Sequence, residues 1–251
     1  MIKKAFLYMS GLVGLKEDDV ILASYPRSGN TWVRFFFCNL ISLKEWSGQD
    51  LDFEILNDTM PEFGVNNLVK SWSHNTIPRI VKTHKKCWPI FENKRSILII
   101  RDPRDVMVSY YHFKKDKKGE LSTVDFSNFI RTPKFGLRAW FEHYLSWREN
   151  YDLLVKYEDM KRDDVAEFAR MVEFLELPLE ESIIREASNR ASFSNVRSVE
   201  EDNEAETELE NNRDESKFAR DGSTKQWEDY FESDDLKYFQ DLKQSFGVEV
   251  Y

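Results

Sequence analysis

The sequence predicts an α/β fold: a single domain over residues 1–251, with a central parallel sheet flanked by helices. Three observations predict it. Four short apolar runs with polar ends read as buried strands. Amphipathic stretches lie between or after them, and that alternation favours a parallel sheet covered on both faces. Directly after the first strand, a polar, glycine-containing turn enters a helix. Such a turn offers unpaired backbone N–H groups and a positive dipole end to a phosphate or sulfate. With 41% hydrophobic and 14% aromatic residues, 251 residues suffice for a sizeable core.

Each element follows in order. The N-terminus opens with Lys3-Lys4 and an apolar segment from Ala5 to Leu15. Its likeness to a signal peptide is slight, because Ser10, Gly11 and Gly14 interrupt it and no small-residue cleavage site follows. The first strand is 19–25, and a helix over 31–43 contains Phe35-Phe36-Phe37 as core. After a loop at 45–78 come the strands Ile80-Val81-Lys82 and Ser96-Ile97-Leu98-Ile99-Ile100. A helix over 103–114 begins at Pro103, where the missing N–H does no harm. A loop at 115–135 leads to a helix over 137–148, the fourth strand Leu153–Tyr157, and a helix over 162–176. Ser198 to Lys217 is polar and acidic and reads as a solvated loop, with a mobile cover over a site as the alternative. A last helical run spans Gln226 to Phe246.

Charge and cysteine content restrict the function. No apolar run reaches the ~20 residues of a membrane span. Cys38 and Cys87 are too few for a disulfide framework, which points to a reducing, cytoplasmic setting. The net charge is −9, yet residues 79–118 carry twelve Lys or Arg against four acids, a local +8. An acidic protein with a basic centre is suited to a local anionic ligand rather than to nucleic acid.

The turn after the first strand reads Ser24-Tyr25-Pro26-Arg27-Ser28-Gly29-Asn30-Thr31-Trp32. It is P-loop-like in position but lacks the Gly-x4-Gly-Lys-[Ser/Thr] spacing. Lys82-Thr83-His84 ends the second strand, and Arg101-Asp102-Pro103-Arg104-Asp105 through Ser109-Tyr110-Tyr111-His112-Phe113 follows the third. In an open α/β sheet, ligands sit outside the carboxyl ends of the strands, where these segments fall. Taken singly, each residue has an ordinary structural explanation: His84 as a packed histidine, Arg101 as an ion-pair partner of Asp102 or Asp105, Trp32 and Tyr157 as core aromatics.

In combination these segments resemble the sulfotransferases that use 3′-phosphoadenosine-5′-phosphosulfate (PAPS), the cytosolic type above all. That family carries Tyr-Pro-Lys-Ser-Gly-Thr-Thr-Trp, Lys-Thr-His, Arg-Asn-Pro-Lys-Asp…Ser-Tyr-Tyr-His-Phe, Tyr-Glu-Asp-Met, Ser-Phe and Arg-Lys-Gly-x-x-Gly-Asp-Trp-Lys. The counterparts here are 25–32, 82–84, 101–113, 157–160, 192–193 and 220–228, in the same order. The resemblance implies a phosphosulfate-binding turn made by Arg27, Ser28, Gly29, Asn30, Thr31 and Trp32. It implies that Arg101, Ser109, Arg220 and Gly222 hold the 3′-phosphate, that Trp32 and Phe193 stack on adenine, and that Tyr157 contacts the nucleotide. His84 would be the general base toward a hydroxyl or amine, with Lys82 and Arg27 supplying positive charge. PAPS is then the donor and adenosine 3′,5′-bisphosphate the product, with no metal required. The acceptor would be a small molecule or a saccharide, bordered by the loops at 45–78, 115–135 and 199–217.

Departures from the pattern are informative. Arg27 replaces the usual Lys, Asp221 replaces the Lys of Arg-Lys-Gly, and Lys225 stands at the second Gly. The family's Lys-x-x-x-Thr-Val-x-x-x-Glu dimer segment is not recognisable in residues 228–237, so no dimer through it is expected. Two other readings stay open. One is a catalytically silent module that binds adenosine 3′,5′-bisphosphate, and the other is a nucleotide kinase-like phosphotransferase.

Overall fold

Alternation along the strands explains how the sheet is covered. In β1 (Val20–Ser24) every residue is buried. Val20 and Leu22 join one hydrophobic core, Ile21 and Ala23 another. The same division holds in β3 (Ser96–Ile100), where Ile97 and Ile99 face one core and Leu98 and Ile100 the other. Successive side chains in a strand point to opposite faces, so a strand apolar at every position needs cover on both sides. This computed structural model describes residues 2–115, 121, 123–199 and 222–251.

With β2 (Ile80–Thr83) and β4 (Leu153–Lys156), the four strands form one parallel sheet in the order β2-β1-β3-β4. The register sets Ala23 beside Thr83, Ser24 beside Ile99, and Ile100 beside Lys156. The carboxyl ends therefore share one edge. The neighbours of β1 leave it in opposite directions, which makes its carboxyl end a topological switch point.

Among the described residues the helices include α1 (Ile2–Gly14), α2 (Asn30–Glu45), α3 (Phe53–Thr59), α4 (Pro103–Lys115), α5 (Phe126–Ile130), α6 (Leu137–Trp147), α7 (Tyr157–Arg162), α8 (Asp164–Phe174), α9 (Glu181–Arg190) and α10 (Ser233–Phe246). One core lies between the sheet and α2, α8 and α9; stacked Phe36 and Phe168, 3.9 Å apart, join α2 to α8. The other lies under α4, α6 and α10. A buried ion pair closes the far edge of the sheet. Arg79 donates to both carboxylate oxygens of Asp19 at 2.7 and 2.6 Å, and to the Leu68 carbonyl at 2.8 Å.

The α/β class and all four strands match the sequence expectation, with corrections at element ends. Tyr157 opens α7 rather than ending a strand. The helix expected over 162–176 is broken at Asp163, whose carboxylate accepts the Ala166 N–H and starts α8. The run expected over 226–246 is a 3-10 turn (Gln226–Asp229) and then α10, restarted by a Glu232/Asp235 capping box. Helices α1, α3, α5 and α9 form where none was expected. Of the acidic segment, residues 200–217 lie outside the described residues, as do Arg220 and Asp221. Both cysteines are free thiols. Among the described residues no helix is long and apolar enough to cross a membrane.

Candidate active site

The turn after β1 depends on two left-handed residues. Gly29, at φ 98°, is the N-cap of α2, and a Cβ there would lie 2.7 Å from the Tyr157 ring. Glycine alone meets both demands, the positive φ and the close approach. Arg27 also has positive φ, at 71°. Backbone N–H groups at the start of a helix have no intrahelical partner, so residues 29–31 present donors and a dipole end to the space above, while the Trp32 N–H bonds the Gly29 carbonyl at 3.1 Å.

That space is a cavity of about 370 Å³ at the carboxyl ends of the strands. The turn contributes Arg27, Gly29, Asn30, Thr31 and Trp32 to its wall. The edges of β2 and β3 contribute Lys82, His84 and Arg101, and α4 contributes Ser109. Tyr157, Phe193 and Gly222 complete the expected set that lines it. Ser28 is fully buried in the turn and does not line the cavity, and Arg220 lies outside the described residues.

Polar groups at this site are left for a ligand. Ser28 Oγ, Asn30 Oδ1, Trp32 Nε1 and Arg101 Nε are buried without a hydrogen-bond partner among the described residues. Buried polar atoms are normally satisfied, and each unmet one costs about 1–3 kcal/mol. Three of them, on Asn30, Trp32 and Arg101, belong to residues that line the cavity, which is consistent with a ligand completing the network. Arg27 Nε donates to Ser109 Oγ at 3.1 Å, and its guanidinium lies over the Phe113 ring. Arg101 donates to the Ser223 carbonyl at 2.9 Å and lies 4.4 Å above the Tyr157 ring. The Tyr157 hydroxyl donates to the Gly222 carbonyl at 2.9 Å. Phe193 packs so closely on Gly222 that a Cβ there would sit 2.8 Å from the ring.

His84 has a defined tautomer. Its Nδ1 lies 2.8 Å from the Ser24 carbonyl oxygen, which can only accept, so Nδ1 carries the proton and Nε2 keeps its lone pair. Burial and, next, the Lys82 ammonium push the imidazole pKa down to about 4. His84 is therefore neutral at neutral pH.

Two contributors were missed from sequence. Glu62 borders the cavity and holds Lys82 Nζ at 2.7 Å. It is placed there because residues 61–63 pair with β2: Lys82 N–H donates to the Pro61 carbonyl and Phe63 N–H to the Lys82 carbonyl, both at 2.9 Å. Burial pushes the Glu62 carboxyl up, but Lys82 and His84 outweigh it and hold it below the ordinary range. No local pattern around Glu62 signals this, since it stands twenty positions before its partner. Asp105 accepts N–H bonds from Lys225 at 2.7 Å and Trp227 at 3.1 Å, which anchors the C-terminal segment beside the cavity. Its position in the Arg-Asp-Pro-Arg-Asp run was a visible signal. His112 and His143 belong to the surrounding frame: His112 Nε2 meets the Tyr230 hydroxyl at 2.7 Å, and His143 is buried against Tyr25.

Comparison with known proteins places the chain in a family. The sulfotransferase domain model matches residues 17–246. Sulfotransferase 1E1 of Cavia porcellus is 30% identical over 256 residues, covering 92% of this chain and 85% of the relative. Sulfotransferase 1B1 of Canis lupus familiaris is 28% identical over 237 residues, covering 86% and 79%. Among solved structures, mouse sulfotransferase SULT7A1 complexed with PAP superposes with a TM-score of 0.68 at 22% identity, covering 98% of this chain and 90% of that one. Retinol dehydratase in complex with androsterone and the inactive cofactor PAP gives 0.70 at 23%, covering 94% and 82%. The structural likenesses establish the fold, and the domain match over nearly the whole chain establishes the family: this protein is a member of the sulfotransferase family.

Proposed function

We propose that this protein transfers the sulfonate of PAPS to a hydroxyl or amine of a small-molecule or saccharide acceptor, in line, with His84 as general base. The observation that carries the reading is the convergence of His84, Lys82, Arg27, Arg101 and Ser109 on one cavity whose buried donors are incompletely paired. Those donors fit an anionic nucleotide: Arg101 Nε suits a phosphate oxygen, and Trp32 and Phe193 offer flat apolar surface to a base. The bound donor would supply an activated sulfonate and a phosphate leaving group.

The chain's own residues then have distinct tasks. The turn and the start of α2 would hold the phosphosulfate by backbone N–H groups, with Arg27 neutralising the leaving phosphate. Arg101 and Ser109 would hold the 3′-phosphate and so fix the position of the nucleotide. His84, proton on Nδ1, presents Nε2 to accept the acceptor's proton. Lys82 keeps positive charge beside it, oriented by Glu62.

The test is PAPS-dependent labelling of an acceptor panel by the wild type and by His84→Ala. The expected result is transfer by the wild type, and loss of transfer with retained binding of adenosine 3′,5′-bisphosphate in the variant. Full activity in His84→Ala would refute the proposed base. Tight nucleotide binding by the wild type with no transfer to any acceptor would favour the silent binding module instead.

A further inference from the structure

A buried cation lies behind the cavity, outside the set of residues that would touch the donor. Arg34 is 4% exposed and does not line the cavity. It stands four residues after Asn30 and three after Thr31 on α2, so it shares the helix face of two residues that do. Buried charges are ordinarily paired with an opposite charge. Among the described residues the Arg34 guanidinium meets neutral oxygens instead. Its Nη2 donates to the Met60 carbonyl at 2.7 Å, to Asn57 Oδ1 at 3.0 Å and to the Leu56 carbonyl at 3.3 Å. Its Nε has no partner. These oxygens belong to the last turn of α3, where Met60 is the C-cap, and a cation complements the carbonyls at a helix end.

The backbone that Arg34 holds leads directly into the site. Met60 is followed by Pro61, whose carbonyl accepts the Lys82 N–H at 2.9 Å, and by Glu62, whose carboxylate meets Lys82 Nζ at 2.7 Å. The Glu62 N–H is tied from the other side, to Asn66 Oδ1 at 2.8 Å. Residues 60–62 are thus clamped between Arg34 and Asn66. Burial pushes the Arg34 pKa down to about 10, and the Glu62 carboxylate is the strongest influence opposing it, so the group stays charged. Two cations, Arg34 and Lys82, then share one carboxylate, and the surplus positive charge favours an anion in the cavity.

We propose that Arg34 is a positioning residue for sulfonate transfer: it fixes residues 60–62, and through Glu62 it holds the Lys82 ammonium beside His84, where the sulfonate would pass. The inference rests on the proposed transfer from PAPS. A lysine ammonium is a point charge on a flexible four-carbon stem, so its place depends on what holds it. Glu62 can hold it only while the backbone beneath Glu62 is fixed, and the rigid, always-charged guanidinium of Arg34 supplies that fixed point.

The experiment is calorimetric binding of PAPS and of adenosine 3′,5′-bisphosphate, together with transfer kinetics, for the wild type and four variants. The two nucleotides differ by the sulfonate alone. Arg34→Met is expected to bind PAPS roughly tenfold more weakly and to lower kcat with the acceptor KM unchanged, while its affinity for the bisphosphate stays that of the wild type. Arg34→Lys keeps a cation within reach of the Met60 carbonyl and is expected to recover most of the loss. Asn66→Ala releases the same segment from its half-buried side, without touching the core, and is expected to show the same selective loss. Adding Arg34→Met to Glu62→Ala is expected to cost nothing further, because Arg34 acts through Glu62. Equal weakening of both nucleotides in Arg34→Met and Asn66→Ala overturns the inference, and so do losses from Arg34→Met and Glu62→Ala that simply add. A wild type that binds neither nucleotide overturns the proposed transfer and this inference with it. A wild type that binds PAPS, beside variants that bind both nucleotides as it does, overturns this inference alone.

Discussion

The protonation of His84 gives a quantitative test of the proposed base. An ordinary histidine titrates near ~6.5 and is only about 10% neutral at pH ~5.5. With its pKa held at about 4, His84 is about 97% neutral at that pH. The sign follows from the mechanism: the base must be unprotonated, so kcat/KM falls as pH drops through this pKa. The acid limb of kcat/KM reports the free enzyme. It is expected to stay flat from neutrality down to about pH 5 and to bend only near pH 4. An imidazole 15N titration of the ligand-free protein checks the same group directly and should show Nδ1 protonated throughout. Replacing Lys82 by Met adds a directional check. It removes a positive neighbour and leaves Glu62 unopposed, so the His84 pKa is expected to rise. An inflection in kcat/KM at pH 6–7 that persists in Lys82→Met would refute the electrostatic reasoning.

Three further outcomes are expected. Gly29→Ala forces an L-residue into positive φ and a Cβ into the Tyr157 ring, so a loss of about 1–3 kcal/mol in urea unfolding and weaker nucleotide binding should accompany it. Arg79→Ala strands the buried Asp19 carboxylate and should cost about 3–5 kcal/mol by the same assay, while the paired change Arg79→Met with Asp19→Leu should recover much of it. Asp105→Asn weakens the anchor on the Lys225 and Trp227 N–H groups, and calorimetry should find adenosine 3′,5′-bisphosphate bound roughly tenfold more weakly, about 1.4 kcal/mol.

The strands and the polar turns that follow them were legible because buried parallel strands are short, apolar at most positions, and end in polar residues that project from the same edge. β1 and β3 are such runs, and Arg101 and His84 follow strand ends as the reading required. Short helices were not legible. α3 has seven residues and α5 five, too few to establish a 3.6-residue period. α1 escaped for a different reason: its outer face is as apolar as its inner one, so it has no amphipathic contrast to read. Glu62 was invisible because its role comes from a backbone pairing across twenty residues, not from its neighbours in sequence. Of the loops expected to border the acceptor, the 45–78 segment brings Glu62 to the cavity, while 200–217 lies outside the described residues.

The strand order has one more consequence. His84 follows β2 and Arg101 follows β3, with β1 and its turn between them. Neighbouring strands are ~4.8 Å apart, so the two outer anchor points start about 10 Å from each other. Hydrogen bonds along the whole sheet fix that interval, and no single loop can change it. The sheet thus serves as a ruler: a short ligand engages the turn alone, and only one long enough to span three strand ends would meet His84, the turn and Arg101 at once. Loops around the cavity can diverge freely while this interval stays constant.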